Sequence, residues 1–171
     1  MTNEPLQEEP LIPRLLASNA LRANLSKHMD LNKMADSKAS MIMTVSSLII
    51  TITLTQYDKL ALITTLLLAS SGILAVVFSI LAIIPPFHVT DHTNLFYFRS
   101  FSDLSEDEFK SQFLTTITDR NKLYDAYFHE IYYLGKYRLT RKYGLIRNGL
   151  WSLLIGLLSA TASVVFLHLP L

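Results

Sequence analysis

The sequence predicts an all-α integral membrane protein with three transmembrane helices and a cytoplasmic helical bundle. Three observations support this class. Long runs almost free of charge alternate with densely charged segments, three of these runs are long enough to cross a bilayer, and the mean hydropathy is +0.32 although 17% of the 171 residues are charged. Such a division is typical of a protein that lies partly in lipid and partly in water. The bundle is expected to combine extensions of the membrane helices with a short intervening helix.

The first span is predicted to be the second half of a long helix. After a disordered head at residues 1–12, Pro13 suits the first turn of a helix. No Gly or Pro follows before Thr55, so one helix is expected to comprise a cytoplasmic part at residues 13–38 and a first span at residues 39–55. The apolar stripe of the cytoplasmic part needs a partner, which residues 87–148 must supply.

The second and third spans are predicted at residues 60–84 and 145–169. The second has 25 residues without a charge and ends at the Pro85-Pro86 pair, which cannot continue a helix. The third carries Trp151 near its start, where an amphipathic ring suits a membrane interface. About 20 apolar residues are enough to cross the hydrocarbon core.

The positions of Lys and Arg predict the orientation. Residues 1–38 contain five of them, residues 85–148 contain nine, and the turn between the first two spans contains only Lys59. Cytoplasmic flanks are enriched in Lys and Arg. The N-terminus and residues 85–144 are therefore expected in the cytoplasm, and the C-terminus outside.

The cytoplasmic region at residues 85–144 is predicted to fold. Fourteen of the 18 aromatic residues lie between positions 87 and 143, too many for a solvated linker. Ser105 and Glu108 form a capping box that opens a helix to about Thr118, and Asp119 can cap the next helix. That helix is expected to continue into the third span. Its candidate bends are Gly135, Gly144 and Gly149.

Composition and motifs exclude several function classes. Without Cys there are no disulfides, thiolate zinc sites or Cys nucleophiles, and a net charge of +1 gives no field for holding nucleic acid. No Gly-rich phosphate loop, Ser/His/Asp spacing or HExxH motif is present, so no enzyme and no catalytic residue are predicted. His88 and His92 are four residues apart, but the preceding prolines disfavour a metal-binding helix. No metal and no cofactor are expected.

Hydroxyl side chains mark one face of the first span. Five of them are separated by 4, 3, 4 and 4 residues, which places them on one helical face. This face either packs against helices or lines a polar path when subunits associate. Its residues are Ser40, Thr44, Ser47, Thr51 and Thr55. A matching stripe of small residues in the third span comprises Ser152, Gly156, Ala160 and Ser163. Together the two stripes predict close helix contacts within or between subunits, and a homo-oligomer is expected.

The start of the first span carries the sequence ADSKA at residues 35–39. Its charges predict an interface in which Lys38 extends to lipid head groups and pairs with Asp36 or a nearby carboxylate. Further motifs follow in order: PP at 85–86, NLFYF at 94–98, LSEDEF at 104–109, LGK at 134–136 and KY at 142–143. In this order, over residues 32–167, they resemble the transmembrane effectors of bacterial Pycsar anti-phage systems.

That resemblance implies a membrane protein that binds a cyclic pyrimidine mononucleotide, cyclic CMP or cyclic UMP, made by a partner cyclase during infection. Binding then impairs the bacterial inner membrane and causes abortive infection. The expected partners are the lipid bilayer, the cyclic nucleotide and further copies of the chain, and the expected location is the inner membrane, with several spans and a cytoplasmic N-terminus. The alternative is a non-gated small membrane anchor or assembly subunit that binds a cytoplasmic protein.

A cyclic nucleotide requires an anion site and a stacking ring. The first choice is Arg99 beside Tyr97, with Asn94 able to address the pyrimidine edge. The alternative role for Arg99 is structural, within an aromatic core. Lys38 and Arg138 are the next candidates for the anion site.

Asp36 and Lys38, at the start of the first span, are also the candidates for a gating or interface role. Whether the ligand is cyclic CMP or cyclic UMP stays open, as do the subunit number and the nature of the membrane lesion.

Overall fold

The computed structural model describes residues 11–85, 95–96 and 100–168, and every element within them is helical. The elements in chain order are α1 (Leu11–Thr55), a 3₁₀ turn (Tyr57–Lys59), α2 (Leu62–Ile83), α3 (Glu106–Thr118), α4 (Arg120–Tyr133), a π-helix (Leu134–Leu139) and α5 (Thr140–His168). Three helical runs are long and apolar enough to cross a membrane: Leu15–Thr55, Leu62–Ile83 and Arg120–Phe166. The prediction of an all-α chain with three such helices is confirmed for the described residues.

The long first helix is present as predicted. α1 contains 45 residues, equivalent to about 68 Å at 1.5 Å per residue. α2 ends just before the two prolines, as expected. The backbone of Ile84 is extended, with φ −63° and ψ 123°, because the ring of Pro85 excludes the helical conformation from the residue before it.

The chain forms two compact units. The first comprises Met1–Asp30 and His88–Leu134, and the second comprises Leu31–Phe87 and Gly135–Leu171. α1 therefore contributes to both units.

Both predicted caps are present in the first unit. Glu108 N–H donates to the Ser105 hydroxyl, and Ser105 N–H donates to the Glu108 carboxylate at 2.9 Å, which completes the capping box of α3. The hydrogen bond from the Ser105 hydroxyl, followed by that from its N–H, lowers the pKa of Glu108. The Asp119 carboxylate accepts from Asn121 N–H at 2.9 Å and Lys122 N–H at 3.3 Å, which caps α4.

Aromatic rings pack together in the first unit. Phe113 lies 5.4 Å from Phe109 and 6.2 Å from Phe96, measured between ring centroids, and Phe96 lies 5.3 Å from Tyr127. These separations are typical of favourable aromatic pairs. The first half of α1 is part of the same unit, with the Ser18 hydroxyl 3.5 Å from that of Tyr124. Leu15, Leu16 and Met29 of its apolar stripe are exposed, so the partner of that stripe stays a prediction.

Small residues lie where the helices of the second unit contact one another. Its buried core contains Ala35, Ala39 and Ile42 from α1, Ala75 and Ala82 from α2, and Ile146 and Leu153 from α5. A Cβ built at Gly156 would overlap the Ser71 side chain, and one built at Gly149 would lie 3.5 Å from the Ala75 carbonyl oxygen. The helices approach closely because these residues are small.

The helical run from Arg120 to His168 is unbroken, as predicted, but it changes winding at the π-helix. Of the three candidate bends, Gly135 lies in this segment, whereas Gly144 and Gly149 lie within α5. The Thr140 hydroxyl donates to the Gly135 carbonyl oxygen five residues earlier, at 3.0 Å. π-Helical turns are rare and occur often at functional sites.

Candidate functional site

A polar network joins α1 to α5 within the second unit. Lys142 Nζ donates to Asp36 Oδ1 at 2.6 Å and to Asn32 Oδ1 at 2.8 Å. The Lys142 side chain is only 11% exposed, and that of Asp36 is 41% exposed. A cation that is largely removed from water needs such charge-assisted hydrogen bonds to offset the loss of hydration. Lys142 therefore ties the start of α5 to α1.

The next residue of α5 continues this contact. Tyr143 donates from its hydroxyl to the Leu31 carbonyl oxygen at 3.3 Å, and Lys38 Nζ lies 5.3 Å from the centroid of its ring. That distance is within the range of a cation–π interaction. The ADSKA and KY motifs thus meet, although they are about a hundred residues apart in the sequence.

The expected pair between Lys38 and Asp36 is wrong. Asp36 binds Lys142, and the Lys38 ammonium lies over Tyr143 instead. The reason is geometric, because residues two apart on a helix point to different sides and cannot meet.

Beside this network is an open depression that encloses about 270 Å³ of empty space, part of it open to solvent. One wall carries Arg138, Arg141 and Lys142, and the opposite wall is formed by residues 81–85 at the end of α2. The three cations have the spacing i, i+3 and i+4, which brings side chains together on one helical surface. None of the described residues that line the depression is acidic.

The end of α2 contributes to the electrostatics of the depression. The last carbonyl groups of a helix carry a partial negative charge of about half an electron. Neither Pro85 nor Pro86 has an N–H that could cap these carbonyls. The three cations therefore lie in a favourable position, and their combined charge still exceeds the partial charge of the helix end.

The structure leaves the predicted hydroxyl face open. All five residues of this face are exposed, and some of their hydroxyls donate to carbonyls of α1 itself, for example Thr44 to Ser40 at 3.0 Å and Thr51 to Ser47 at 2.9 Å. Within the described residues this face is therefore not buried. Contact with another subunit and lining of a polar path both stay predictions.

A different face of α1 packs inside the second unit, and it was missed. Its hydroxyl residues are Ser46 and Thr53, which are 0% and 2% exposed. They share a helical surface with Ala35, Ala39 and Ile42, and the spacing of 4, 3, 4 and 7 residues in the sequence could have revealed it.

The small-residue stripe of the third span does pack within the chain. Gly156 and Ala160 are buried, and the hydroxyls of Ser163 and Thr64 lie 3.1 Å apart, between α5 and α2.

The structure describes only some of the predicted ligand residues, and it places those at different positions. Asn94, Tyr97 and Arg99 lie outside the described residues, as do His88 and His92. Arg138 lines the depression, whereas Lys38 is at Tyr143 and does not, so the structure does not bring these two cations to one surface. Arg141 and Lys142 were missed, although their spacing from Arg138 marks a basic cluster. Among the described residues no group of three or more His, Asp or Glu side chains could hold a metal ion.

Comparison with family models identifies the family of the chain. The family model described as the Pycsar effector protein domain matches residues 20–169. Neither the search of curated proteins nor that of solved structures found a match. The matched range contains α2 to α5 and most of α1, including every residue of the polar network and of the depression.

Proposed function

Because the chain belongs to the Pycsar effector family, we propose that this anti-phage defence effector is gated by a cyclic pyrimidine mononucleotide. In this proposal, cyclic CMP or cyclic UMP from a partner cyclase binds on the cytoplasmic side, the inner membrane is impaired, and infection becomes abortive. The observation that carries the proposal is the family match, which covers most of the first apolar helix, all of the other two, and the region between α2 and α5.

Large apolar side chains on the outside of the second unit support a membrane location. Leu62, Leu158 and Phe166 are 76%, 62% and 80% exposed. Exposing such surface to water is unfavourable, whereas lipid solvates it readily. We place α1, α2 and α5 across the inner membrane, with the N-terminus and residues 85–144 in the cytoplasm because Lys and Arg are concentrated there.

Gating requires a ligand that binds two conformations with different affinity. Shifting a two-state equilibrium from 1:99 to 99:1 takes an affinity ratio of about 10⁴. The bonds between α1 and α5 at Lys142 are candidates for contacts that differ between the two states, because they join helices that we place in the membrane. The exposed hydroxyl face of α1 is the candidate surface for assembly of subunits into a damaging state.

Purified protein in nanodiscs and in dye-loaded vesicles tests this function. We expect cyclic CMP or cyclic UMP to bind by calorimetry and to trigger dye release at matching concentrations, with cyclic AMP as the control for base recognition. If neither pyrimidine nucleotide binds or causes leakage, the gated effector is wrong and the non-gated membrane anchor is favoured.

Reporter fusions in cells test the orientation. A fusion after Thr118 should be active in the cytoplasm, and a fusion after Leu171 should be active only outside. Cytoplasmic activity of the second fusion would show that the third apolar run does not cross the membrane.

A further inference from the structure

We propose that the depression between residues 81–85 and the start of α5 is a binding site for a phosphodiester monoanion, with Arg141 as its main contact. Two molecules that the chain would meet carry this group: a cyclic mononucleotide and a membrane phospholipid. The assignment of a nucleotide rests on the proposed function, whereas the assignment of a phosphate group rests on the site itself.

The charges that line the depression favour an anionic ligand. Arg138, Arg141 and Lys142 contribute three positive charges, and the described lining contributes no carboxylate. Asp36 neutralises part of the charge through Lys142, and the end of α2 supplies about half a negative charge. Among these groups the positive charge still exceeds the negative charge, which favours an anionic ligand.

Arg141 is the cation best placed to accept a ligand. Its side chain is exposed, and within the described part of the chain it has no hydrogen bond or ion pair. A guanidinium presents several donors in a planar fork that fits two oxygens of a phosphate. An incoming phosphate would therefore meet an arginine that does not have to leave another partner.

The lining of the depression has a charged part and an apolar part. Residues 81–85 at the end of α2, together with Leu145 of α5, contribute apolar groups to the lining beside the cations. A charged phosphate joined to a part that can contact apolar side chains, such as the face of a nucleobase or an acyl chain, matches this division.

The position of the depression along α5 explains why a lipid is the second source. Arg138 and Arg141 lie nine and six residues before Arg147, beyond which the apolar part of α5 begins. Basic side chains at the border of a membrane helix lie at the level of the lipid phosphates. A nucleotide and a lipid head group would thus compete for the same donors.

Through Lys142, phosphate binding in the depression would affect the contact between α1 and α5. Lys142 is one of the residues that line the depression, and its ammonium is bonded to Asp36 and Asn32 of α1. A phosphate oxygen offers this ammonium another anionic acceptor, so that binding would weaken the contact between α1 and α5. The site is therefore linked to the network described above.

A matched pair of variants tests the site. Full-length protein is purified in maltoside micelles, which contain no phosphate, and titrated with cyclic CMP, cyclic UMP and short-chain phosphatidylglycerol. Arg141→Gln should bind its phosphate ligand at least tenfold more weakly than the unmodified protein, a loss of about 1.4 kcal/mol. Arg147→Gln changes the same residue type, also exposed on α5 but outside the depression, and should bind normally.

The possible outcomes distinguish failure of the proposed site from failure of the proposed function. Equal affinity of the unmodified protein and Arg141→Gln for every probe overturns the site, even if the nucleotide binds and the proposed function stands. Equal losses in both variants also overturn it, because they would reflect surface charge alone. If neither nucleotide binds but phosphatidylglycerol binds in an Arg141-dependent way, the site stands as a lipid site and the gated function fails. Binding of no probe overturns both.

Discussion

In the second unit most of the buried side chains between helices are small, whereas in the first unit aromatic rings pack together. Ala35, Ala39 and Ala75 are fully buried in the second unit, and Leu62 on its outside is 76% exposed. In the first unit, rings such as Phe96 and Phe113 contact one another. Water drives large apolar groups inward, but lipid provides no such force, so that helices in a membrane associate by close approach of small residues. The same chain therefore contains packing suited to two solvents.

The largest expected effect comes from adding one carbon to a small residue of the second unit. A Cβ at Gly156 would overlap the Ser71 side chain, so Gly156→Ala should lower the free energy of unfolding by about 3 kcal/mol. Gly144→Ala is the matched control, because a Cβ there meets nothing within 4 Å and alanine is favoured over glycine in helices by about 1 kcal/mol. Unfolding in mixed micelles with increasing SDS, followed by circular dichroism, measures both.

A second substitution sharpens this test. Ser71→Gly removes the atoms that the new Cβ would meet, so the double variant Ser71→Gly/Gly156→Ala should recover most of the lost stability. If Gly156→Ala and Gly144→Ala unfold alike, close packing of α2 on α5 does not stabilise the second unit.

The polar network should give the next largest effect. Asp36→Asn removes the carboxylate that faces a largely buried ammonium, and we expect a loss of about 2 kcal/mol. Combining it with Lys142→Gln should restore part of this loss, since the cation that lacks its counter-charge is then also removed. A double-mutant cycle on thermal unfolding measures the coupling. Asp58→Asn, in the exposed turn after α1, is the control, and an equal effect there would contradict a specific bond.

A cap in the first unit should have a smaller and more local effect. Ser105→Ala removes the hydroxyl that caps α3, at a cost of about 1 kcal/mol, while Ser111→Ala in the middle of α3 should cost nothing. Hydrogen exchange of the amides of α3 measures the difference. Similar protection in both variants would argue against the cap.

The same cap predicts a dependence on pH. Because the pKa of Glu108 is lowered in the folded chain, its stabilisation is complete above the ordinary value of 4.5 and is lost as the pH falls through the lowered value. Exchange at the start of α3 should therefore accelerate, beyond the intrinsic effect of pH, only below about pH 4.5. Glu108→Gln should abolish this additional acceleration, and its persistence would assign it to another group.

The smallest effect on stability is expected on the exposed hydroxyl face. Thr51 is exposed, so Thr51→Leu should change the free energy of unfolding by less than about 0.5 kcal/mol. Thr53→Leu, at a residue only 2% exposed, should cost about 1–3 kcal/mol by overpacking. If the face lines a polar path, Thr51→Leu should also reduce nucleotide-triggered dye leakage without changing nucleotide affinity. Full leakage at normal affinity would contradict that role.

Features determined by neighbouring residues could be predicted from the sequence. The caps at Ser105 and Asp119, the end of α2 before Pro85 and the continuity of α1 all follow from local backbone chemistry. The three apolar helices follow from their composition. The nucleotide site assigned to Arg99 stays a prediction, because that residue lies outside the described part of the chain.

Features determined by distant residues could not be predicted. Several basic residues could become the partner of Asp36 once the chain folds, and nothing in the sequence near Asp36 indicates that the partner is Lys142. α1 has two faces with hydroxyl groups, and which of them packs depends on where α2 and α5 lie. The π-helix likewise has no local signal beyond Gly135. Tertiary contacts decide each of these cases.

The pairing of α2 with α5 has a consequence for how the protein is made. Residues 84–139 separate these helices, so that a ribosome adding about 5–20 residues per second completes α2 several seconds before α5 exists. During that interval Ser71, Ala75 and the hydroxyl of Thr64 lack the helix that later covers them. In the membrane location that we propose, the insertion machinery or the surrounding lipids must cover this groove until the last helix is made. A nascent chain that stops before α5 is therefore the species most exposed to quality-control proteases.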